Sequence, residues 1–201
     1  MIRLLLLAPP GGGKGTQGRV LAEEHGVPHI STGELLRDHV TRSTPLGRRV
    51  RPYLERGDLI PDHLVLRLVQ ERLGTPGVLE GFVLDGFPRT LDQALAAYAW
   101  ATEHNLTFSA VVHLTVPEAE LVRRLLDRGR ATGRSDDTAD TIRHRLAQYR
   151  ASTDPLLDFY RERQILVDVD GDGPIPEVAA RIRTALEARG LAPANKRAGP
   201  G

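Results

Sequence analysis

The sequence predicts an α/β fold in which helices cover both faces of a doubly wound, five-stranded parallel sheet. Two observations predict it. Five short apolar segments recur along the chain, and helix-compatible sequence follows each of them. The first segment, Ile2–Ala8, is apolar without interruption, as expected of a strand buried on both faces of a parallel sheet. At 201 residues the chain is long enough for one well-packed domain.

The elements follow in a simple order. After the first strand the chain turns through glycines, and a helix is predicted from about Lys14 to His25. The other four strands are predicted at the segments Val27–Ile30, Phe82–Leu84, Val111–Leu114 and Ile165–Val167. In such sheets ligands bind beyond the carboxyl ends of the strands, so the residues after these segments are the first candidates for a site.

Two segments interrupt the alternation. Residues 31–60 are basic and helical in pattern without a strand, and residues 128–137, RGRATGRSDD, are too polar and glycine-rich for a core. Both are predicted to be excursions that can cover a site. The core then comprises residues 1–30, 61–127 and 138–190. Residues 191–201 lack apolar periodicity and predict a disordered tail.

Composition narrows the functional classes. The 27 Lys and Arg against 26 Asp and Glu leave no charge excess that would indicate a nucleic-acid or membrane partner. The chain has no cysteine, which excludes disulfides and thiolate metal sites. No apolar stretch approaches the roughly 20 residues that span a bilayer, and the N-terminal run is too short for a signal peptide. We therefore expect a soluble, cytoplasmic protein.

The stretch LLLLAPPGGGKGT departs from the usual phosphate-binding loop, G-x-x-x-x-G-K followed by Ser or Thr. Ala8 stands where the first glycine is usual, and Gly15 separates Lys14 from Thr16. A glycine turn before a helix is the plain alternative. The context favours a phosphate site, because a strand leading through glycines into a helix presents backbone N–H groups and the positive helix end to an anion.

Within that loop the residue types suit phosphate binding. Gly11, Gly12 and Gly13 let the backbone approach phosphate closely, and Lys14 can reach the outer phosphates. Ala8 is compatible with the loop provided that its φ angle is negative. The loop is thus the first candidate for a nucleotide site.

The segment GFVLDGFPRT predicts a second part of the site. Apolar residues ending in Asp85 suit a strand whose carboxylate meets Mg²⁺, usually through water, beside phosphates. The alternative is that Asp85 caps the following helix. Pro88 fixes the backbone after it, and Arg89 is then placed to hold a second phosphate.

The segment STGELLR contains a capping box, Ser31-x-x-Glu34, which by itself would explain those two residues. It does not explain Thr32, Gly33 or Arg37. In isolation, Arg37 could equally be a solvated helix charge.

The segments GGGKGTQ, STGELLR, GFVLDGFPRTLDQ and RSDDTADTIRHRL occur in this order, and together they resemble the adenylate kinase family. The resemblance extends to about Ala188. It implies a P-loop NTPase-like fold with a helical AMP-binding insertion at residues 31–60 and a lid at residues 128–137. It also accounts for Gly15, because Gly-Lys-Gly-Thr is the form which that family uses. The lid is short and lacks cysteine, so it resembles the short-lid bacterial type and no structural zinc is expected.

The resemblance implies a reaction and a set of site residues. The reaction is reversible, Mg²⁺-dependent transfer of a phosphoryl group from ATP to AMP, giving two ADP, by a protein expected to be a monomer. The catalytic residues would be Lys14, Arg89, Arg128, Arg134 and Arg145, with Asp85 near Mg²⁺. ATP would be held by Gly11, Gly12, Gly13, Lys14, Gly15, Thr16, Arg124, Arg128 and Gly173. AMP would be held by Thr32, Arg37, Asp58, Leu59, Ile60, Gly86, Phe87, Pro88, Arg89, Gln93, Arg134 and Arg145.

Two other functions compete with this one. Kinases for UMP or CMP typically have Ala and Asn where this chain has Thr32 and Gln93, and a Gln amide matches the donor–acceptor edge of adenine. A non-catalytic nucleotide sensor would be expected to lack Lys14 or a phosphate-binding arginine, and here none is missing. The sequence leaves open whether GTP can replace ATP as donor.

Overall fold

The computed structural model describes residues 1–133 and 137–193. Its centre is a sheet of five parallel strands in the order β2-β3-β1-β4-β5, which confirms the predicted fold class. The strands are β1 (Arg3–Leu7), β2 (His29–Ser31), β3 (Phe82–Asp85), β4 (Ala110–Thr115) and β5 (Leu166–Asp170). Every predicted apolar segment contributes to one of them. The second strand begins later than predicted, and the fifth continues to Asp170.

Helices fill the connections between the strands. They are α1 (Lys14–His25), α2 (Thr32–Thr41), α3 (Pro45–Arg56), α4 (Asp62–Leu73), α5 (Leu91–Glu103), α6 (Glu118–Thr132), α7 (Ala139–Ser152), α8 (Pro155–Glu162) and α9 (Ile175–Glu187). Helix α1 has the predicted bounds. Helices α2 and α3 lie within residues 31–60, the predicted insertion. Residues 128–132 continue α6, and residues 134–136 and 194–201 lie outside the described residues.

The sheet is buried on both faces, which explains the uninterrupted apolar run of β1. Leu4 and Leu6 pack on one face, against side chains of α1 and α9. Leu5 and Leu7 pack on the other face, within the cluster that holds side chains of α2, α3, α4, α5 and α8. Full burial of one such leucine contributes about 1.5–3 kcal/mol, so a polar residue at any of these positions would be strongly destabilising.

A third apolar cluster joins α6 to α7 through Leu121, Leu125, Ile142 and Leu146. It fixes these two helices beside the carboxyl ends of β1 and β4, where their arginines reach the site described below. Within residues 1–133 and 137–193, no helix is both long enough and apolar enough to cross a membrane.

Candidate active site

A cleft of about 850 Å³ opens at the carboxyl ends of β1 and β3. Most of the residues singled out in the sequence line its wall: Gly11, Gly12, Gly13, Lys14, Gly15, Thr16, Arg37, Leu59, Asp85, Gly86, Pro88, Arg89, Arg124, Arg128, Arg145 and Gly173. Thr32, Asp58, Ile60, Phe87 and Gln93 do not line it, and Arg134 lies outside the described residues. The cleft thus brings together residues from seven separate segments of the chain.

The glycine-rich loop has the backbone geometry that the sequence predicts. Gly11 and Gly13 have φ angles of 82° and 88°, in the region that favours glycine, and Gly13 directly precedes α1. Ala8 keeps a negative φ, so its departure from the usual glycine introduces no backbone strain. A Cβ at Gly12 would lie 2.7 Å from the Cβ of Ala8, so the methyl group at position 8 requires glycine at position 12.

Lys14 begins α1 and turns back over its own loop. Its Nζ donates hydrogen bonds to the carbonyl oxygens of Ala8, at 2.5 Å, and Pro9, at 3.0 Å. Burial lowers the pKa of Lys14 to about 7. The carboxylate of Asp85 opposes this shift, and the positive charges of Arg89, Arg145 and Arg128 add to it. The lysine therefore sits in the cleft among three positive arginines, with the carboxylate of Asp85 as an opposing negative charge.

Asp85 ends β3 directly beside β2, where Ser31 is its partner in register. His29 Nε2 lies 2.7 Å from Asp85 Oδ2, and the Ser31 hydroxyl donates to Oδ1 at 2.9 Å. Burial raises the pKa of Asp85, but the hydrogen bond from His29, the charge of Lys14 and the other contacts outweigh it and hold the pKa below its ordinary value. The carboxylate is therefore ionised at neutral pH.

These contacts correct two sequence-based interpretations. The capping box at Ser31 and Glu34 is wrong, because the Ser31 hydroxyl is used by Asp85 and Glu34 accepts a hydrogen bond from Arg19 at 2.7 Å. The alternative role of Asp85 as a helix cap is also wrong. Helix α5 is capped by the Thr90 side chain, which accepts from the backbone N–H of Gln93.

Two arginines on α6 and α7 are held by one buried carboxylate that the sequence interpretation did not single out. Arg128 donates to both oxygens of Asp137 at 2.7 Å, and Arg145 donates to Oδ1 at 3.0 Å. The side chain of Asp137 is fully buried. The paired, planar geometry fixes both guanidinium groups where the cleft needs positive charge. In the sequence Asp137 is marked only by the polar run SDD, and that run gives no indication that its carboxylate is buried.

The turn after β3 is packed tightly against the start of α2. Gly86 has a φ of 82°, and a Cβ there would lie 2.4 Å from the Thr32 hydroxyl, which itself donates to the carbonyl of Asp85 at 3.2 Å. Arg89 follows, with its Nε donating to the Gly86 carbonyl at 2.8 Å. Thr32 therefore shapes the turn from beneath the cleft wall.

Gln93 lies in the first turn of α5 and is only 4% exposed. Its Oε1 accepts from the backbone N–H of Arg89 at 2.7 Å, and its Nε2 donates to Asp62 Oδ1 at 2.6 Å. Gln93 is therefore a buried residue with two hydrogen-bond partners and not a solvated helix side chain. Asp62, at the start of α4, was not singled out in the sequence because nothing local links it to Gln93.

The insertion meets α7 across the mouth of the cleft. His144 Nε2 lies 2.9 Å from Asp58 Oδ1, and a Cβ at Gly57 would lie 2.8 Å from carbon atoms of Thr141 and Arg145. A hydrogen bond from Arg56, with that of His144, lowers the pKa of Asp58. The tip of the insertion thus closes on the helix that carries Arg145.

At the opposite end, Arg124 spans the loop after β5. It donates to Glu120 at 2.6 Å and to Asp172 at 3.0 Å, and its third contact is the carbonyl of Gly171 at 3.3 Å. Gly173 has a φ of 114° and donates its N–H to Asp172. These contacts hold a flat guanidinium beside exposed backbone.

Comparison with known proteins identifies close relatives over this whole arrangement. The sequence model of the adenylate kinase family matches residues 6–165. An adenylate kinase from Thermus thermophilus is 52% identical over 183 residues, which cover 91% of this chain and 96% of that protein. An adenylate kinase from Thermobifida fusca is 44% identical over 188 residues, 94% of this chain and 100% of that protein. One from Mycobacteroides abscessus is 46% identical over 185 residues, 92% of this chain and 99% of that protein.

Proposed function

We propose specific roles for the cleft residues on the premise that the chain belongs to the adenylate kinase family. The protein is a nucleoside monophosphate kinase that transfers a phosphoryl group between ATP and AMP. The family and these relatives do not favour a UMP/CMP kinase or a non-catalytic sensor. The observation that carries the proposed roles is the convergence of Lys14, Arg89, Arg128 and Arg145 on one cleft, close enough for the three arginines to lower the pKa of the lysine.

The positive charges suit this chemistry. Phosphoryl transfer depends on in-line positioning and on neutralising the charge spread over the phosphoryl oxygens, with little covalent work for the protein. Two nucleotides bring several negative charges into the cleft. Lys14 would leave the carbonyls of Ala8 and Pro9 and bind the transferring phosphate. Arg128 and Arg145, held together by Asp137, would stabilise its charge from the other side.

The donor nucleotide would lie along the glycine-rich loop. The backbone N–H groups of Gly11–Thr16 and the start of α1 would hold its phosphates. Arg124 and the backbone at Gly173 would contact its base, because both face the same end of the cleft. Residues 128–137, the proposed lid, would cover it and keep water from the reacting phosphate.

The acceptor would lie between the insertion and the turn after β3. Arg37 and Arg89 line the cleft and would hold the phosphate of AMP. Gln93 lies behind that wall, where it accepts a hydrogen bond from the backbone of Arg89, and it would contact the base of AMP. Leu59, with its neighbours Asp58 and Ile60, would cover the nucleoside from the insertion, residues 31–60. The contact between Asp58 and His144 supports this role, because it shows that the tip of the insertion reaches α7 across the cleft.

The residues around Asp85 fit Mg²⁺, which prefers oxygen ligands and usually keeps several waters. Asp85 is an ionised carboxylate on the cleft wall, and Thr16 offers a hydroxyl on the same wall. When bound with ATP, the ion neutralises phosphate charge. His29 and Ser31 hold the carboxylate in a single orientation for it. We expect no structural zinc, because the chain has no cysteine.

We further propose that the enzyme works as a monomer in the cytoplasm. One chain by itself supplies the walls for both nucleotides, and the cytoplasm contains the ATP and AMP that it uses.

A coupled assay tests the proposed function. AMP, UMP, CMP and GMP are each offered with Mg·ATP, and AMP should be strongly preferred. Lys14→Met should fold normally but lose roughly 10³–10⁵-fold in turnover, as found when a charge-stabilising side chain is removed in this chemistry. The matched control is Arg67→Met, which removes an exposed cation that pairs with Glu71 outside the cleft. Turnover of Lys14→Met within tenfold of the parent enzyme would contradict the role of the loop.

A further inference from the structure

We propose that Asp62 is a positioning residue for base selection, because it fixes which end of the Gln93 amide faces the acceptor base. This inference rests on the proposed function, in which Gln93 contacts that base. The supporting observation is a chain of two hydrogen bonds. The backbone N–H of Arg89 donates to Gln93 Oε1 at 2.7 Å, and Gln93 Nε2 donates to Asp62 Oδ1 at 2.6 Å.

These two contacts define the orientation of an otherwise ambiguous group. The oxygen and nitrogen ends of a carboxamide have nearly the same shape, so only their partners decide which is which. If the Gln93 amide were reversed, its NH₂ group would face the N–H of Arg89, and its oxygen would face the carboxylate of Asp62. Both hydrogen bonds would be replaced by repulsive contacts, at a site where Gln93 is only 4% exposed.

The fixed amide still has capacity for a ligand. Its oxygen has a second lone pair, and its nitrogen has a second hydrogen. Gln93 therefore presents one acceptor and one donor in a set order. Adenine offers an amino group that donates and a ring nitrogen that accepts, which is complementary to that order. Hypoxanthine, a purine of nearly the same size, offers a carbonyl and a ring N–H, which is the reverse order.

Asp62 is well placed for this task by the topology. It is the first residue of α4, two positions after Ile60, whereas Gln93 lies 31 residues further along the chain on α5. A carboxylate is the only common side chain that can accept from Gln93 and cannot donate to it. An asparagine at the same position could present either its oxygen or its NH₂ group, so it would no longer oppose the reversed Gln93 amide, and only the N–H of Arg89 would still favour one orientation.

The test compares AMP with inosine monophosphate, which differs from AMP only along this edge of the base. In Asp62→Asn, the ratio of kcat/KM for AMP to that for inosine monophosphate should fall about ten- to a hundredfold, or roughly 1.4–2.8 kcal/mol. The KM for ATP and the kcat at saturating AMP should stay within about threefold of the parent values, since the donor site and the phosphate contacts are untouched. The matched control is Asp92→Asn, which removes an exposed acidic residue from the first turn of α5, whereas the Gln93 amide is bonded to Arg89 and Asp62.

A merely structural role for Asp62 gives a different result. An acidic residue in the first turn also stabilises its helix, and its loss would then lower the melting temperature of Asp62→Asn and leave base selectivity unchanged. That outcome would overturn the inference. Gln93→Ala, measured in parallel, distinguishes the role of Asp62 from the contact between Gln93 and the base. If Gln93→Ala loses selectivity and Asp62→Asn does not, only the role of Asp62 fails. If Gln93→Ala also keeps its selectivity, Gln93 does not contact the base and the proposed acceptor site fails as well.

Discussion

Replacing Gly18 with alanine tests whether helix α1 positions Asp85 through His29. Gly18 lies on the buried face of α1, and a Cβ at this position would lie 2.5 Å from His29 Nε2 and 2.9 Å from its Cδ2. Nε2 is the atom that contacts the Asp85 carboxylate at 2.7 Å. The new methyl group would therefore displace the imidazole from Asp85.

Two opposing effects determine how much Gly18→Ala changes the free energy of unfolding. In a helix, alanine is more favourable than glycine by about 0.8–1.0 kcal/mol. Loss of a hydrogen bond to a charged group is unfavourable by about 1.5–3 kcal/mol. The free energy of unfolding of Gly18→Ala should therefore fall by about 0.5–2 kcal/mol, although propensity alone predicts a gain.

Urea denaturation of four proteins measures both effects: the parent, Gly18→Ala, His29→Ala and the double variant. In the His29→Ala background the clash is absent, so the same glycine-to-alanine change should stabilise the protein by up to about 1 kcal/mol. The sign of the effect of Gly18→Ala should thus reverse with residue 29. Activity measured against Mg²⁺ concentration should show a weaker response to the ion in Gly18→Ala, because Asp85 has lost its orientation.

Two results would contradict this role of α1. Gly18→Ala would stabilise the parent protein, or it would change the free energy of unfolding equally in the parent and in His29→Ala. Either result would mean that the His29 ring moves aside without loss, and that α1 does not position Asp85.

Three further predictions follow from the site. Binding of ATP at pH 7.5 should take up a measurable fraction of a proton, because phosphate restores the charge of Lys14, whose pKa is lowered from 10.5 to about 7. Calorimetry in buffers of different ionisation enthalpy measures the uptake, and Lys14→Arg, which is always charged, should abolish it. Between pH 7 and 10.5 the Lys14 amine is protonated in the unfolded chain and largely neutral in the folded one. The free energy of unfolding of the nucleotide-free parent should therefore rise with pH across that window, relative to Lys14→Met. Denaturation at several pH values that shows no such rise would contradict the burial of Lys14. Gly57→Ala should lower kcat by about tenfold or more and leave the protein folded. The φ of 74° at this position disfavours alanine, and the new methyl group would separate the insertion from Thr141 and Arg145. Unchanged steady-state kinetics would show that this contact is dispensable.

The sequence by itself determined the fold class and the family, and it predicted a phosphate-binding loop. The apolar run of β1 indicates burial on both sides, and a parallel sheet covered by helices provides it. The order strand, glycines and helix in residues 4–25 creates an anion site from backbone geometry alone. The strand and the loop depend on residues that are close together in the chain, and the family is indicated by four short segments, each of which can be identified locally.

The tertiary structure alone decided which side chains orient the site. Asp137 joins Arg128 to Arg145, His29 and Ser31 hold Asp85, and Asp62 holds Gln93. In the sequence, some of these side chains are explained equally well by local roles. Ser31, for example, fits a capping box, because helix capping needs only neighbours along the chain. Parallel strands place Ser31 beside Asp85 even though 54 residues separate them. A hydrogen bond depends on ångström distances between such partners, and the sequence pattern of each segment carries no information about that distance.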